Sequence, residues 1–293
     1  MKISRNLLNQ IIRKLSLNSK RLDLAFDRFY RTKLLERAGK SIRITSPTET
    51  LDEISRLILS KRGGAYLRFG DGDVFLLNGR PDRLQIWSEG LSQELLESFC
   101  MTGPTVIKGL AIHSERFGKE LEMTKGNHLL ADDFAFKLLA DSFEFFIGNR
   151  IYSPVALHYV ASVNPEEAKE FLDMLKRNCL MFIGNETIKP AVIRSLFGDV
   201  IHVETPSENA YSNIDEIENE AAETLNEKSG FGVIVVAMGC ATRAIIKRLH
   251  KRFPEKFFFD FGSLIDGLNG ELSREWLRIS NVNKDILLAD ESS

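Results

Sequence analysis

The chain has 293 residues, enough for one large α/β domain or two small ones, and its 43% hydrophobic and 27% charged residues are ordinary for a soluble globular protein. The net charge of -2 hides an asymmetry: residues 1–45 hold 12 Lys/Arg and 3 Asp/Glu, and the remainder holds 27 against 38. An acidic body argues against nucleic-acid binding, no run approaches a transmembrane helix, and Cys100, Cys179 and Cys240 show neither a disulfide framework nor zinc spacing. With no secretory signal, the expected location is cytoplasmic.

Residues 1–45 read as a basic helical arm, with Ile3, Leu7, Leu8, Ile11, Ile12 and Leu15 at helical spacing. Such an arm suits peripheral contact with the inner face of an anionic membrane, or packing on the body or on a second copy in a homo-oligomer. Ser46-Pro47-Thr48-Glu49 carries a capping-box pattern and opens a helix whose buried face is Leu51, Ile54, Leu57 and Ile58. Gly63-Gly64 ends it and leads into a strand at Tyr66. That strand breaks into Gly70-Asp71-Gly72-Asp73, read as a loop, before a second apolar run.

Further on, Ser88–Met101 reads as a helix, Thr105–Ile112 as a strand, and Asp132–Phe146 as a phenylalanine-rich helix. Val155–Val160 is apolar, and Asn164-Pro165 opens a helix to about Arg177. Strands follow at Leu180–Ile183, Val200–Val203, Phe231–Met238 and Phe257–Phe259, with helices from Ile188, over 213–228 and over 241–253. Near-continuous apolar strands alternating with helices predict a Rossmann-like, mostly parallel sheet with helices on both faces, in one catalytic domain over 46–293.

In such sheets ligands gather beyond the carboxyl ends of the strands. The candidates there are Gly184 and Glu186, Pro206 and Asn209, Gly239 and Thr242, and Asp260, Ser263 and Asp266. Asp71 and Asp73, two apart in an extended loop, share a face and offer hard oxygen donors to Mn²⁺ or Mg²⁺. Arg68 can hold phosphate in a bidentate fork, and Arg274 can close over the phosphates. Asp260 and Asp266 are the candidate bases for an acceptor hydroxyl.

The string Arg68-Phe-Gly-Asp-Gly-Asp73, followed by an apolar run and Gly79, resembles the signature of the GT-D-type glycosyltransferases. The likeness covers about residues 46–280. It includes Pro206-Ser-Glu-Asn209-Ala-Tyr211, the apolar strand entering Gly239, and Asp260-Phe-Gly-Ser263. In that family an Asp-x-Glu serves the metal and the nucleotide diphosphate; here the second acid is Asp73. This chain has Gly239-Cys240 for the family's glycine-proline, and Gly262-Ser263 for its glycine-histidine, so that histidine's role is not carried over. The resemblance implies metal-dependent transfer of a sugar from a nucleotide-diphosphate donor, UDP-linked, to a glycan or glycolipid acceptor in cell-surface polysaccharide biosynthesis. The alternatives are a metal-dependent phosphatase or nucleotidyltransferase using the same aspartates, and a non-catalytic binding subunit.

Overall fold

The computed structural model describes residues 43–110, 150–271 and 282–289. The expected helix over 132–146, Arg274 and nearly all of the 1–45 arm lie outside them. Arg43–Ile44, assigned to that arm, form instead a short strand, β1, parallel to β4 (Arg150–Ile151).

Six further strands make one all-parallel sheet. They are β2 (Gly64–Phe69), β3 (Val106–Leu110), β5 (Cys179–Asn185), β6 (Ile201–Thr205), β7 (Val233–Ala237) and β8 (Phe257–Asp260), in the order β3-β2-β8-β7-β5-β6. The helices are α1 (Pro47–Leu59), α2 (Asp71–Leu77), α3 (Glu89–Phe99), α4 (Ala156–Val163), α5 (Pro165–Asn178), α6 (Pro190–Phe197), α7 (Ile214–Asn226), α8 (Ala241–Arg252), α9 (Leu264–Asn269) and α10 (Lys284–Leu287).

Alternation along each strand divides the interior into two cores. Phe258 points to the face covered by α7 and α8, where Ile214, Ile217, Leu225, Ile245 and Leu249 are buried. Phe257 and Phe259 point to the other, covered by α1, α4, α5 and α6. The expected α/β sheet with helices on both faces is therefore present, and it is wholly parallel.

The capping signals lie where the helices begin. Ser46 Oγ accepts the Glu49 N–H at 3.1 Å and Glu49 Oε2 accepts the Ser46 N–H at 3.1 Å. Asn164 caps α5, with Pro165 at its first position. The stretch 71–77 departs from its reading as a loop and is a helix. Glycine is a poor helix former, but Val74 and Leu76 gain burial and Asp73 caps the first turn through the Gly70 N–H, at 2.8 Å.

One charged cluster ties α3, α7 and α8 together. Arg248 donates to Glu94, Asp215 and Glu218, and Lys247 reaches Glu94 at 3.0 Å. Burial raises the Glu94 carboxyl, but Arg248 and Lys247 outweigh it and hold the group down at about 2, against an ordinary 4.5. A folded-state value below the unfolded one adds stability above pH 4.5 that is lost as pH falls through about 2. The urea midpoint should accordingly drop across that window, and drop less in Glu94→Gln; equal slopes would show that the cluster contributes nothing.

Candidate active site

The middle strands β2, β8 and β7 lie side by side, so the segments leaving their carboxyl ends meet. From β2 come Arg68, Asp71 and Asp73; from β8, Asp260 and Gly262; from β7, Gly239 and Arg243 on the first turn of α8. The parallel order brings Arg68 and Asp260 together across 192 positions.

Arg243 is its hub. Its Nη2 lies 2.6 Å from Asp73 Oδ2, and its Nη1 lies 2.6 Å from the Gly239 carbonyl and 3.4 Å from Asp260 Oδ2. Burial works against its charge, but Asp260 and Asp73 outweigh that and raise its pKa further. Asp73 is 1% exposed, and burial pushes its carboxyl up to about 6 against the pull of Arg243 and the Gly70 N–H. Asp260 is also 1% exposed and faces Arg243 and Arg68.

Arg68 is held from several sides. Its Nε donates to the Pro154 carbonyl, its Nη1 lies 3.7 Å from Asp260 Oδ1, and its Nη2 lies 3.3 Å from His158 Nε2. Arginine only donates, so that ring nitrogen is the acceptor and the imidazole is neutral. Burial and the Arg68 charge both keep the His158 pKa well below its ordinary 6.5. Gly262, at φ +66°, passes directly beneath the guanidinium: a β-carbon there would lie 1.3 Å from Arg68 Nη1.

Asp71 opens α2, is exposed, and accepts its neighbour Gly72's N–H at 2.9 Å. Residues two apart on a helix point about 200° apart, so Asp71 and Asp73 do not share a face as the loop reading expected. Gly72 admits a third carboxylate: a β-carbon on it would lie 2.8 Å from Asp82 Oδ1 and 3.1 Å from Cys240 Sγ. Asp82 is half-buried beside Asp73.

As a metal pair, Asp71 and Asp73 do not fit this conformation. Asp73 Oδ2 is taken by a guanidinium and a backbone N–H, and Oδ1 is sealed from solvent without a hydrogen-bond partner. Asp71 alone fits, as one carboxylate for a cation whose other ligands are phosphate oxygens and water. Among the described residues no three His, Cys, Asp or Glu side chains group as metal ligands.

The other candidates are spread along the same edge. Asn209, in the left-handed region at φ 53°, accepts the Ile86 N–H at 2.8 Å and donates its own N–H to the Leu84 carbonyl, so it clamps the 80–88 loop. Thr242 Oγ1 accepts the Met238 N–H at 2.9 Å and shapes the β7–α8 turn. The Gly184 carbonyl lies 3.0 Å from His202 Nε2, exposed Glu186 pairs its N–H with Thr205, and Pro206 follows β6. Ser263 stands at the N-cap position of α9, and Asp266 is half-buried within that helix. Asp266 and Ser263 thus sit on the segment after β8, with Gly70 at the start of α2.

Sequence reasoning missed Arg243, His158 and Asp82. A signal existed for the first two: Arg243 is the one charged residue of the helical run Ala241–Ile246, and His158 sits among the apolar residues Ala156, Leu157 and Val160. Asp82 had none.

No protein-family model and no curated protein matches the sequence. Solved structures do match the fold. A selenomethionine-substituted structure of domain of unknown function 1792 superposes with a TM-score of 0.58 at 18% identity, over 80% of this chain and 83% of that one. A second, described as that domain with a distinct glycosyltransferase fold, gives 0.57 at 17% identity, over 82% and 83%. A third, described as a new glycosyltransferase (DUF1792) from Streptococcus sanguinis, gives 0.56 at 16% identity, over 86% and 96%. The chain therefore has the fold of these proteins, one of them described as a distinct glycosyltransferase fold, with the charged cluster at its carboxyl edge.

Proposed function

We propose that this protein is a glycosyltransferase that takes its sugar from a nucleotide-diphosphate donor, UDP-linked, and delivers it to a hydroxyl of a glycan or glycolipid. The observation that carries the reading is Arg68: a guanidinium fixed at the carboxyl edge of the sheet, on the strand that leads into the exposed Asp71, in a chain that shares its fold with a described glycosyltransferase fold. Its pre-set orientation favours charge that grows on a departing diphosphate. A Mn²⁺ or Mg²⁺ ion held through Asp71 would supply Lewis-acid neutralisation of that charge.

The turn at Gly239 leads into the N-terminus of α8, the end of a helix that favours phosphate. Glu186 and Pro206 leave β5 and β6, farther along the edge. Three strand spacings separate β2 from β5, about 14 Å, which suits an extended nucleotide sugar with its diphosphate at Arg68 and its nucleoside toward β5. Asp260 is enclosed by two arginines and acts here through charge and position. Asp266, half-buried, is the acid we assign to orient or deprotonate the acceptor. Asp266→Asn should then lower turnover by about two to four orders of magnitude with donor binding retained; near-native turnover would remove it from that role.

Calorimetry with UDP-, GDP- and dTDP-sugars, with and without Mn²⁺, tests the donor. Binding of a UDP-sugar strengthened by Mn²⁺ is expected. A protein that binds none of the three overturns the reading.

A further inference from the structure

We propose that the second carboxylate of Asp71-Gly72-Asp73 serves an internal cation: Arg243 supplies the charge that a shared metal would supply, and the donor's cation is held through Asp71 without Asp73. This rests on reading the edge as a nucleotide-diphosphate site.

Three observations converge. The helix starts at Asp71, so the two side chains diverge, one to solvent and one to the interior. Asp73 is already doubly engaged on Oδ2, by the Gly70 N–H at 2.8 Å and Arg243 Nη2 at 2.6 Å. Arg243 cannot swing aside cheaply, because its Nη1 is also bound to the Gly239 carbonyl at 2.6 Å and faces Asp260 Oδ2 at 3.4 Å. A divalent ion brought onto Asp73 would sit against this guanidinium, cation against cation, in a poorly screened interior. The guanidinium joins the last residue of β8 to the segments after β2 and β7. Its work is to hold the edge in shape, as a positioning residue, while Asp71 and Arg68 face the donor.

The test separates metal binding from stability. UDP is titrated into the full chain, Asp71→Asn and Asp73→Asn by calorimetry, each with and without Mn²⁺, and each protein is unfolded in urea. Asp71→Asn should lose the Mn²⁺-dependent gain in UDP affinity and keep its unfolding midpoint. Asp73→Asn retains an amide oxygen for the Gly70 N–H; it should keep the gain and show a lowered midpoint. A folded Asp73→Asn that loses the gain as fully as Asp71→Asn overturns the proposal. If the wild-type protein binds no UDP under either condition, the donor reading fails, and unfolding decides the pairing. Single losses in Asp73→Asn and Arg243→Met that fail to add in the double variant uphold it; unmoved midpoints in both overturn it.

Discussion

Arg243→Met is expected to destabilise the protein by about 3–5 kcal/mol, the cost of leaving buried carboxylates without their partner. Two carboxylates are affected, since Asp73 and Asp260 are each 1% exposed and both face this guanidinium. Arg68 remains for Asp260, at 3.7 Å; Asp73 keeps the Gly70 N–H but loses its charged partner. Methionine preserves most of the side chain's bulk, so the loss reports charge and hydrogen bonding more than a cavity. Against a typical domain stability of about 5–15 kcal/mol, such a loss brings much of the chain to the edge of unfolding. Urea denaturation followed by circular dichroism measures it. A loss below about 1 kcal/mol would show that the cluster is screened like a surface pair.

Gly262→Ala is expected to weaken donor binding while leaving the sheet intact. The residue sits at φ +66°, where a side chain costs about 1–2 kcal/mol. The larger effect is steric, because the new β-carbon would lie 1.3 Å from Arg68 Nη1 and 2.5 Å from its Cζ. A long side chain often swings away from such a clash. Arg68 has little freedom to do so, being tied to Pro154, His158 and Asp260. It must leave that seat, and the fork presented to the diphosphate goes with it. UDP affinity should fall by at least about tenfold, that is about 1.4 kcal/mol, while circular dichroism stays native. Unchanged affinity would place the diphosphate away from Arg68.

The architecture was legible because each βα unit announces itself locally. Phe257-Phe258-Phe259 and Val233–Ala237 are too short and too apolar for anything but central parallel strands, and Ser46-Pro47 and Asn164-Pro165 mark helix starts. The start of α2 was not legible. Gly70-Asp71-Gly72-Asp73 has the composition of a turn, and only the fold adds what makes it helical, namely the burial of Val74 and Leu76 and the Arg243 partner for Asp73. That partner is 170 residues away, a separation at which no local pattern operates. Asn209 likewise has a role that its place after a strand did not announce: its side chain and its N–H fasten the 80–88 loop. Residue types and strand ends thus pointed to one edge of the sheet, where the structure gathers Arg68, Asp73, Arg243 and Asp260. Which polar group faces solvent and which is consumed in holding the fold depended on pairings across the sheet.

The most direct measurement is product analysis. The full chain is incubated with a UDP-sugar, Mn²⁺ and a panel of glycan and glycolipid acceptors, and the products are resolved by mass spectrometry. The account predicts free UDP with a matching glycoside, formation of both lost in Asp71→Asn and reduced in Gly262→Ala. Release of inorganic phosphate, or of UMP with a sugar phosphate, would contradict it and make the protein a phosphate-ester enzyme working at the same edge.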